Sequence, residues 1–185
     1  LGMTLKEYRT KRRSGRSPEP AGRKPRRRSK QPHFVIQHQA ASTDHYDFRL
    51  EIDGVLVSWA VPKGPSTNPK DKRMARRTED HPMDYEKFEG VIPQGEYGAG
   101  RVIVWDRGTY RSDRDMAEGL ERGHLSFRLD GDKLRGGYAL TRFRTGKDEA
   151  WLLVKKADEN ADARRRPVRS QPESVLSGRT LDELS

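Results

Sequence analysis

The sequence predicts a mainly β domain of the barrel or sandwich class, and three observations carry that prediction. A period-two stretch from Asp44 to Val61 is built around Asp53-Gly54, the dipeptide preferred in a two-residue type I′ turn because both residues there take positive φ. Arg101-Val102-Ile103-Val104-Trp105-Asp106 reads as a buried strand. After residue 124, short strand-like segments alternate with turn residues, at the spacing expected of a barrel or sandwich.

Taken in order, Thr4 to Tyr8 can form a short helical turn with Thr4 as its cap. From Lys11 to Lys30 the chain is dense in Lys and Arg with Glu19 as its single acid, and Pro18, Pro20 and Pro25 interrupt any helix. Residues 1–32 therefore read as a basic arm in which no core forms. It is either a solubilising tail or a segment that lies on a nucleic acid backbone. Residues 33–157 are the folded domain, and residues 158–185 a charged C-terminal tail. Phe34-Val35-Ile36-Gln37-His38 is the first core strand, ended by Gln37 and His38, and residues 39–44 loop into the hairpin.

Pairing outward from Asp53-Gly54 sets Ile52 opposite Val55, Leu50 opposite Val57, Phe48 opposite Trp59 and Tyr46 opposite Val61 on an apolar face. The other face carries His45, Asp47, Arg49 and Glu51, met by the small or apolar Pro62, Ala60, Ser58 and Leu56. A solvated face also alternates in this way. Here, however, the polar row offers two metal-ligand types, a phosphate clamp and an orienting carboxylate in succession, which makes it a candidate site floor.

Pro62-Lys63-Gly64-Pro65-Ser66 must be an exposed turn with Lys63 at its rim. Residues 72–79 are extended and basic at Lys72, Arg73, Arg76 and Arg77. The next seven residues, 79–85, form a loop dense in titratable groups. Pro82 holds His81 out of a helix, and His81 either serves a site or bonds a nearby backbone carbonyl. Residues 90–100 are glycine-rich but lack both the Walker and the dinucleotide spacing, so tight turns are expected. The strand 101–106 turns at Arg107-Gly108 into a partner through Thr109 and Tyr110. Met116 to Arg122 is the one convincing helix, with Asp115 as N-cap and Gly123 at its end. Residues 125–129, a turn at Gly131-Asp132, and residues 133–144 and 150–155 complete a meander. Its core is Phe127, Leu129, Tyr138, Leu140, Trp151 and Leu153.

The formal charge of +10 points to an anionic partner, either nucleic acid or an acidic membrane surface. No run of about 18 apolar residues exists, and the N-terminus lacks the apolar stretch of a signal peptide, so a cytoplasmic or nucleoid-associated protein is expected. Without cysteine, thiolate zinc sites, thiol nucleophiles and disulfides are excluded. Any metal must be held by His and carboxylate, which suits Mn²⁺, Mg²⁺, Co²⁺ or a mixed His/Asp zinc site.

Six segments carry a resemblance as a set. They are Ile36-Gln37-His38, His45-Tyr46-Asp47-Phe48-Arg49-Leu50-Glu51, the run from Ser58 to Ser66, Glu79-Asp80-His81-Pro82 with Tyr85, Phe88-Glu89-Gly90 with Ile92-Pro93 and the following glycines, and Val102 to Asp106. The chain resembles the 3′-phosphoesterase domain of bacterial DNA ligase D and its stand-alone bacterial and archaeal relatives. The resemblance implies a compact antiparallel β-barrel with a polar groove that trims 3′ ends in non-homologous end joining. A terminal 3′ ribonucleoside is removed first and a 3′-phosphate second, leaving a 3′-OH. It implies manganese, with Co²⁺ or Zn²⁺ as alternatives, on His38, His45 and Asp47. Phosphate and transition-state contacts fall on Arg49, His81 and Tyr85, supporting positions on Ser58, Lys63, Arg73 and Glu79, and completing residues on Arg12 and Glu19. Arg12, Lys63, Arg73 and Arg76 would contact nucleic acid. The implied partners are DNA or RNA/DNA primer-template 3′ ends, a DNA ligase and a polymerase, with the chain itself monomeric.

Two departures stand out. The spacing from His38 to His45 is one residue longer than the family's usual one, and Arg13 stands where the family often has Asp. The longer spacing leaves open a second function on the same fold, a weakly catalytic module that holds 3′ ends.

Overall fold

The computed structural model describes residues 5–12, 18–20 and 31–184. The expectations for Thr4, Arg13 and the basic run 23–30 lie outside them. The described chain folds as β1 (His33–Ala40), β2 (Asp44–Ile52), β3 (Val55–Val61), β4 (Arg73–Pro82), β5 (Gly90–Ile92), β6 (Gly100–Arg111), β7 (His124–Gly131), β8 (Arg135–Arg144) and β9 (Ala150–Lys155). The short helices are α1 (Lys6–Lys11), α2 (Met116–Arg122) and α3 (Pro167–Ser170), and 3₁₀ turns lie at Met83–Lys87 and Leu181–Glu183.

The strands pair antiparallel in the order β1-β2-β3-β4-β9-β8-β7-β6, and pairing of β6 with β1 closes an eight-stranded barrel. Closure leaves none of these eight strands with a free edge. β5 adds to β6 outside the ring. The hairpin register is the predicted one, from Ile52 with Val55 to Tyr46 with Val61. It is set by Asp53 and Gly54 at φ 51° and 81°. α2 is the predicted helix: Asp115 caps it by accepting from Glu118 N, and Gly123 ends it at φ 89°.

The inward row of β2, with Phe34, Ile36, Trp59, Trp105, Phe127, Tyr138 and Trp151, fills the barrel. A second cluster of Tyr8, Val35, Leu56, Met83, Tyr85, Phe88, Ile92, Val102 and Val104 lies against the outer wall. The polar row of β2 is therefore roofed: Asp47, Arg49 and Glu51 are buried, not solvated.

Several expectations are corrected. No turn occurs at Arg107-Gly108, because β6 runs through both, and Gly108 is required for close strand approach: a Cβ there would lie 2.0 Å from Asp130 O. β4 continues to Pro82, so His81 sits on a strand opposite Leu56 and not in a loop. Pro82 is tolerated there because it ends the strand. β1 does not stop at His38 but runs to Ala40. A core does form before residue 33, since Leu5 and Tyr8 are buried in it. The C-terminal residues also pack on the barrel: Gln171 O accepts from Trp105 Nε1 and from Lys133 Nζ, both at 2.8 Å, Val175 N donates to Val104 O, and Leu181 is buried. No helix among the described residues is long and apolar enough to cross a membrane.

Candidate active site

Alternation along β2 turns Tyr46, Phe48 and Leu50 into the barrel and sends Asp47 and Arg49 to the outer wall. A buried guanidinium is tolerable only when its donors are matched. Arg49 Nε donates to Gln37 Oε1 at 2.7 Å, Nη1 donates to Ser58 Oγ at 2.9 Å, and Nη2 lies 3.3 Å from Asp47 Oδ2. Gln37 is oriented in turn, its amide nitrogen donating to the Tyr85 and Phe88 carbonyls at 3.0 and 3.1 Å. Carbonyls only accept, so the Gln37 oxygen is left for Arg49. The result is a cation fixed on the cavity floor before any ligand arrives.

His45 Nε2 lies 3.3 Å from the same Asp47 oxygen. Burial opposes ionisation of Asp47, but the Arg49 charge and the His45 contact outweigh it and hold the carboxyl below its ordinary range. Burial likewise opposes the charged form of His45, and Asp47 outweighs it, raising the imidazole above its usual value.

Across from them, His81 Nδ1 lies 3.0 Å from Glu79 O, which can only accept. The proton therefore sits on Nδ1, and Nε2 is a bare acceptor facing Arg12 Nη2 at 3.5 Å. Burial, followed by the charges of Arg49 and Arg12, holds His81 well below the ordinary histidine range. It is a neutral acceptor at Nε2. Tyr85, on the 3₁₀ turn, donates its hydroxyl to Glu19 Oε2 at 2.5 Å, and burial together with that carboxylate keeps the phenol protonated. Arg12 closes the group: its Nε is 3.0 Å from Glu19, its Nη1 3.5 Å from Glu79, and its guanidinium sits 4.0 Å from the Tyr8 ring centroid. Lys11 Nζ adds a 2.6 Å contact to Glu79.

These side chains line one open cavity of about 320 Å³, whose walls include Arg12, Glu19, His45, Asp47, Arg49, Glu79, His81 and Tyr85. Ser58 stands behind Arg49 as its support. Lys63 and Arg73 are elsewhere, in a separate cavity of about 520 Å³ with Arg165, Arg166 and Arg169. Arg76 is exposed, with its Nε 3.2 Å from Asp148. Glu51, the last of the polar row, accepts from His33 N outside this cavity.

His38 is not brought to His45 and Asp47. In the β1–β2 ladder it pairs with Tyr46, and partners share a face. Its ring stacks on Tyr46 with centroids 4.1 Å apart and planes 6° from parallel. Among the described residues no group of three or more His, Cys, Asp or Glu side chains could hold a metal ion. The donor set His38, His45 and Asp47 thus does not fit a common ion. Two of the three converge and the third faces away.

Sequence reasoning passed over Gln37, Gln39, Thr78 and Tyr97. Gln37 is fully buried at the hub of the Arg49 network, and the other three line the cavity. The Thr78 hydroxyl is buried without a hydrogen-bond partner among the described residues. One signal was present: Phe34, Ile36 and His38 alternate on one face, which leaves Val35, Gln37 and Gln39 on the face of Asp47.

Residues 36–142 match the family described as the DNA ligase D 3′-phosphoesterase domain. The chain is 54% identical over 181 residues to the multifunctional non-homologous end joining protein LigD of Pseudomonas aeruginosa, covering 96% of this chain and 22% of that protein. It is 46% identical over 155 residues to the multifunctional non-homologous end joining DNA repair protein LigD of Mycobacterium tuberculosis, covering 84% and 20%. With the Mycolicibacterium smegmatis protein the identity is 40% over 161 residues, covering 84% and 21%. The chain spans about a fifth of the length of these curated relatives.

Proposed function

Because the chain belongs to the DNA ligase D 3′-phosphoesterase domain family, we propose that its outer-wall cavity receives the 3′ end of a nucleic acid strand and hydrolyses phosphoester bonds there during non-homologous end joining. One observation carries this reading: Arg49 is fixed in a cavity that also holds a neutral histidine acceptor and a phenol donor. A phosphoryl group over Arg49 has its developing charge met by a cation that needs no reorganisation. An attacking water placed against His81 Nε2 loses its proton to that nitrogen as its oxygen bonds to phosphorus; the phosphoester P–O bond breaks, and the imidazolium returns the proton to the departing oxygen. Arg12, held by Glu19 and Glu79, supplies a second cation at the mouth. The order of reaction is removal of a 3′ ribonucleoside and then of the 3′-phosphate, leaving 3′-OH.

The manganese implied by the resemblance, or Co²⁺ or Zn²⁺ in its place, would polarise a phosphoryl oxygen. The three residues assigned to it do not converge, so no step is routed through the ion. The separate basic cavity of Lys63 and Arg73, and the exposed Arg76, offer cations to the phosphates of the flanking backbone. The protein acts as a monomer in the cytoplasm near the nucleoid, handing ends to a DNA ligase and a polymerase.

The position of His38 favours a second reading, a module that holds 3′ ends with little turnover. Release of inorganic phosphate from a 3′-phosphorylated primer-template separates the two. The first reading requires release that Arg49→Ala abolishes. The second requires binding of the same end without release.

A further inference from the structure

The ladder between β1 and β2 places Gln39 directly opposite His45, and Gln39 lines the same cavity as His45 and Asp47. Gln39 Nε2 donates to Gly98 O at 2.6 Å. Since that carbonyl only accepts, the amide is oriented with nitrogen toward Gly98, and its oxygen is the end available to a cation. His38 is held on the opposite side of the strand by its stack on Tyr46. Moving it to the cavity would require either a one-residue slip of β1, which would also turn Phe34 and Ile36 out of the barrel core, or a bulge after Ile36 that the continuous β1–β2 ladder does not contain.

We infer that this chain's divalent-ion site is built from His45, Asp47 and the amide oxygen of Gln39, with no part for His38. One imidazole and two oxygen donors make a hard, weak site that suits Mn²⁺ or Mg²⁺. A second imidazole at position 39 would tighten the site and shift it toward Zn²⁺ and Co²⁺, which imidazole favours. The inference rests on the phosphoesterase reading for the expectation of an ion. Ion binding is measured without substrate, however, so the failure of either leaves the other standing.

The test is calorimetric titration of the metal-free full chain with Mn²⁺ and with Zn²⁺, with folding of each variant checked by circular dichroism. Gln39→His is expected to tighten Mn²⁺ binding by about 10- to 100-fold, the range seen when the surroundings of a metal ligand are altered, and to raise the preference for Zn²⁺ over Mn²⁺. His38→Phe, which keeps the stack on Tyr46, leaves the affinity unchanged, while Asp47→Ala abolishes binding. Weakening by His38→Phe comparable to that of His45→Ala overturns the inference. So does a folded Gln39→His protein whose Mn²⁺ affinity is no higher than wild type, whether measurable or absent in both.

Discussion

Tyr85 donates its hydroxyl to Glu19 across 66 positions of sequence, and Arg12 Nε lies 3.0 Å from the same carboxylate oxygen. The segment before the barrel is thereby tied into the cavity. Glu19→Gln keeps an acceptor for Tyr85 but removes the nearer of Arg12's two carboxylate partners, leaving Glu79. Turnover on 3′ ends is expected to fall about tenfold or more, as for loss of a charged hydrogen bond of about 1.5–3 kcal/mol. Steady-state kinetics with a melting curve check this, and an unfolded variant or an unchanged rate counts against it.

Arg49→Lys is not conservative here. Lysine cannot reach Gln37, Ser58 and Asp47 together as the planar guanidinium does. A loss of about 10²–10³-fold in kcat is expected, the scale of removing one preorganised donor. Gln37→Leu, which removes the acceptor for Nε together with the donor to the Tyr85 and Phe88 carbonyls while leaving the guanidinium in place, is expected to show part of that loss in kcat and a lower melting temperature. Equal rates for wild type and Arg49→Lys would remove Arg49 from the chemistry.

His81 is held below its ordinary value of 6.5 by burial and then by Arg49 and Arg12. Nitrogen-15 spectra should therefore show a neutral, Nδ1-protonated ring through and below pH 6.5. Between the folded and unfolded values the unfolded chain binds more protons, so His81 makes stability rise with pH up to the unfolded value and fall on acidification. A charged ring at pH 6 would contradict the assignment.

Lys155 has a fully buried side chain, and its ammonium lies 2.6 Å from Asp158 Oδ1. Burial opposes ionisation of Asp158, but Lys155 and the N–H groups of Gly137 and Asn160 prevail, holding it at about 2 against an ordinary 3.8. Its stabilisation is present above pH 3.8 and lost as the pH falls toward 2. Asp158→Ala, which strands the buried cation, is expected to cost about 3 kcal/mol, and Lys155→Met far less. Urea unfolding at pH 7 and pH 3 measures both terms.

The hairpin was legible because Asp53-Gly54 fixes the turn, and each residue from Tyr46 to Ile52 then has a set partner between Val55 and Val61. The helix at 116–122 was legible from its two caps. The facing of His38 was not legible because Val35 makes Phe34 to Ile36 look like an unbroken apolar run. Both faces of β1 are in fact apolar there, since the roofing cluster of Tyr8, Tyr85 and Phe88 covers the outer one. That roof comes from segments distant in sequence, so neither the burial of Arg49 nor the place of Tyr8 could be read locally. Gly108 resembled a turn because a glycine required for strand approach and a glycine required for positive φ look alike in sequence.

Phosphoesterase activity at this cavity is measured with a primer-template ending in a single ribonucleotide, incubated with the full chain at saturating Mn²⁺ and resolved by the chemical state of its 3′ terminus. The expected products are a shortened strand bearing 3′-phosphate, followed by the same strand bearing 3′-OH, and neither product with Arg49→Ala. A wild-type protein that binds this end and returns it unaltered would contradict the phosphoesterase reading.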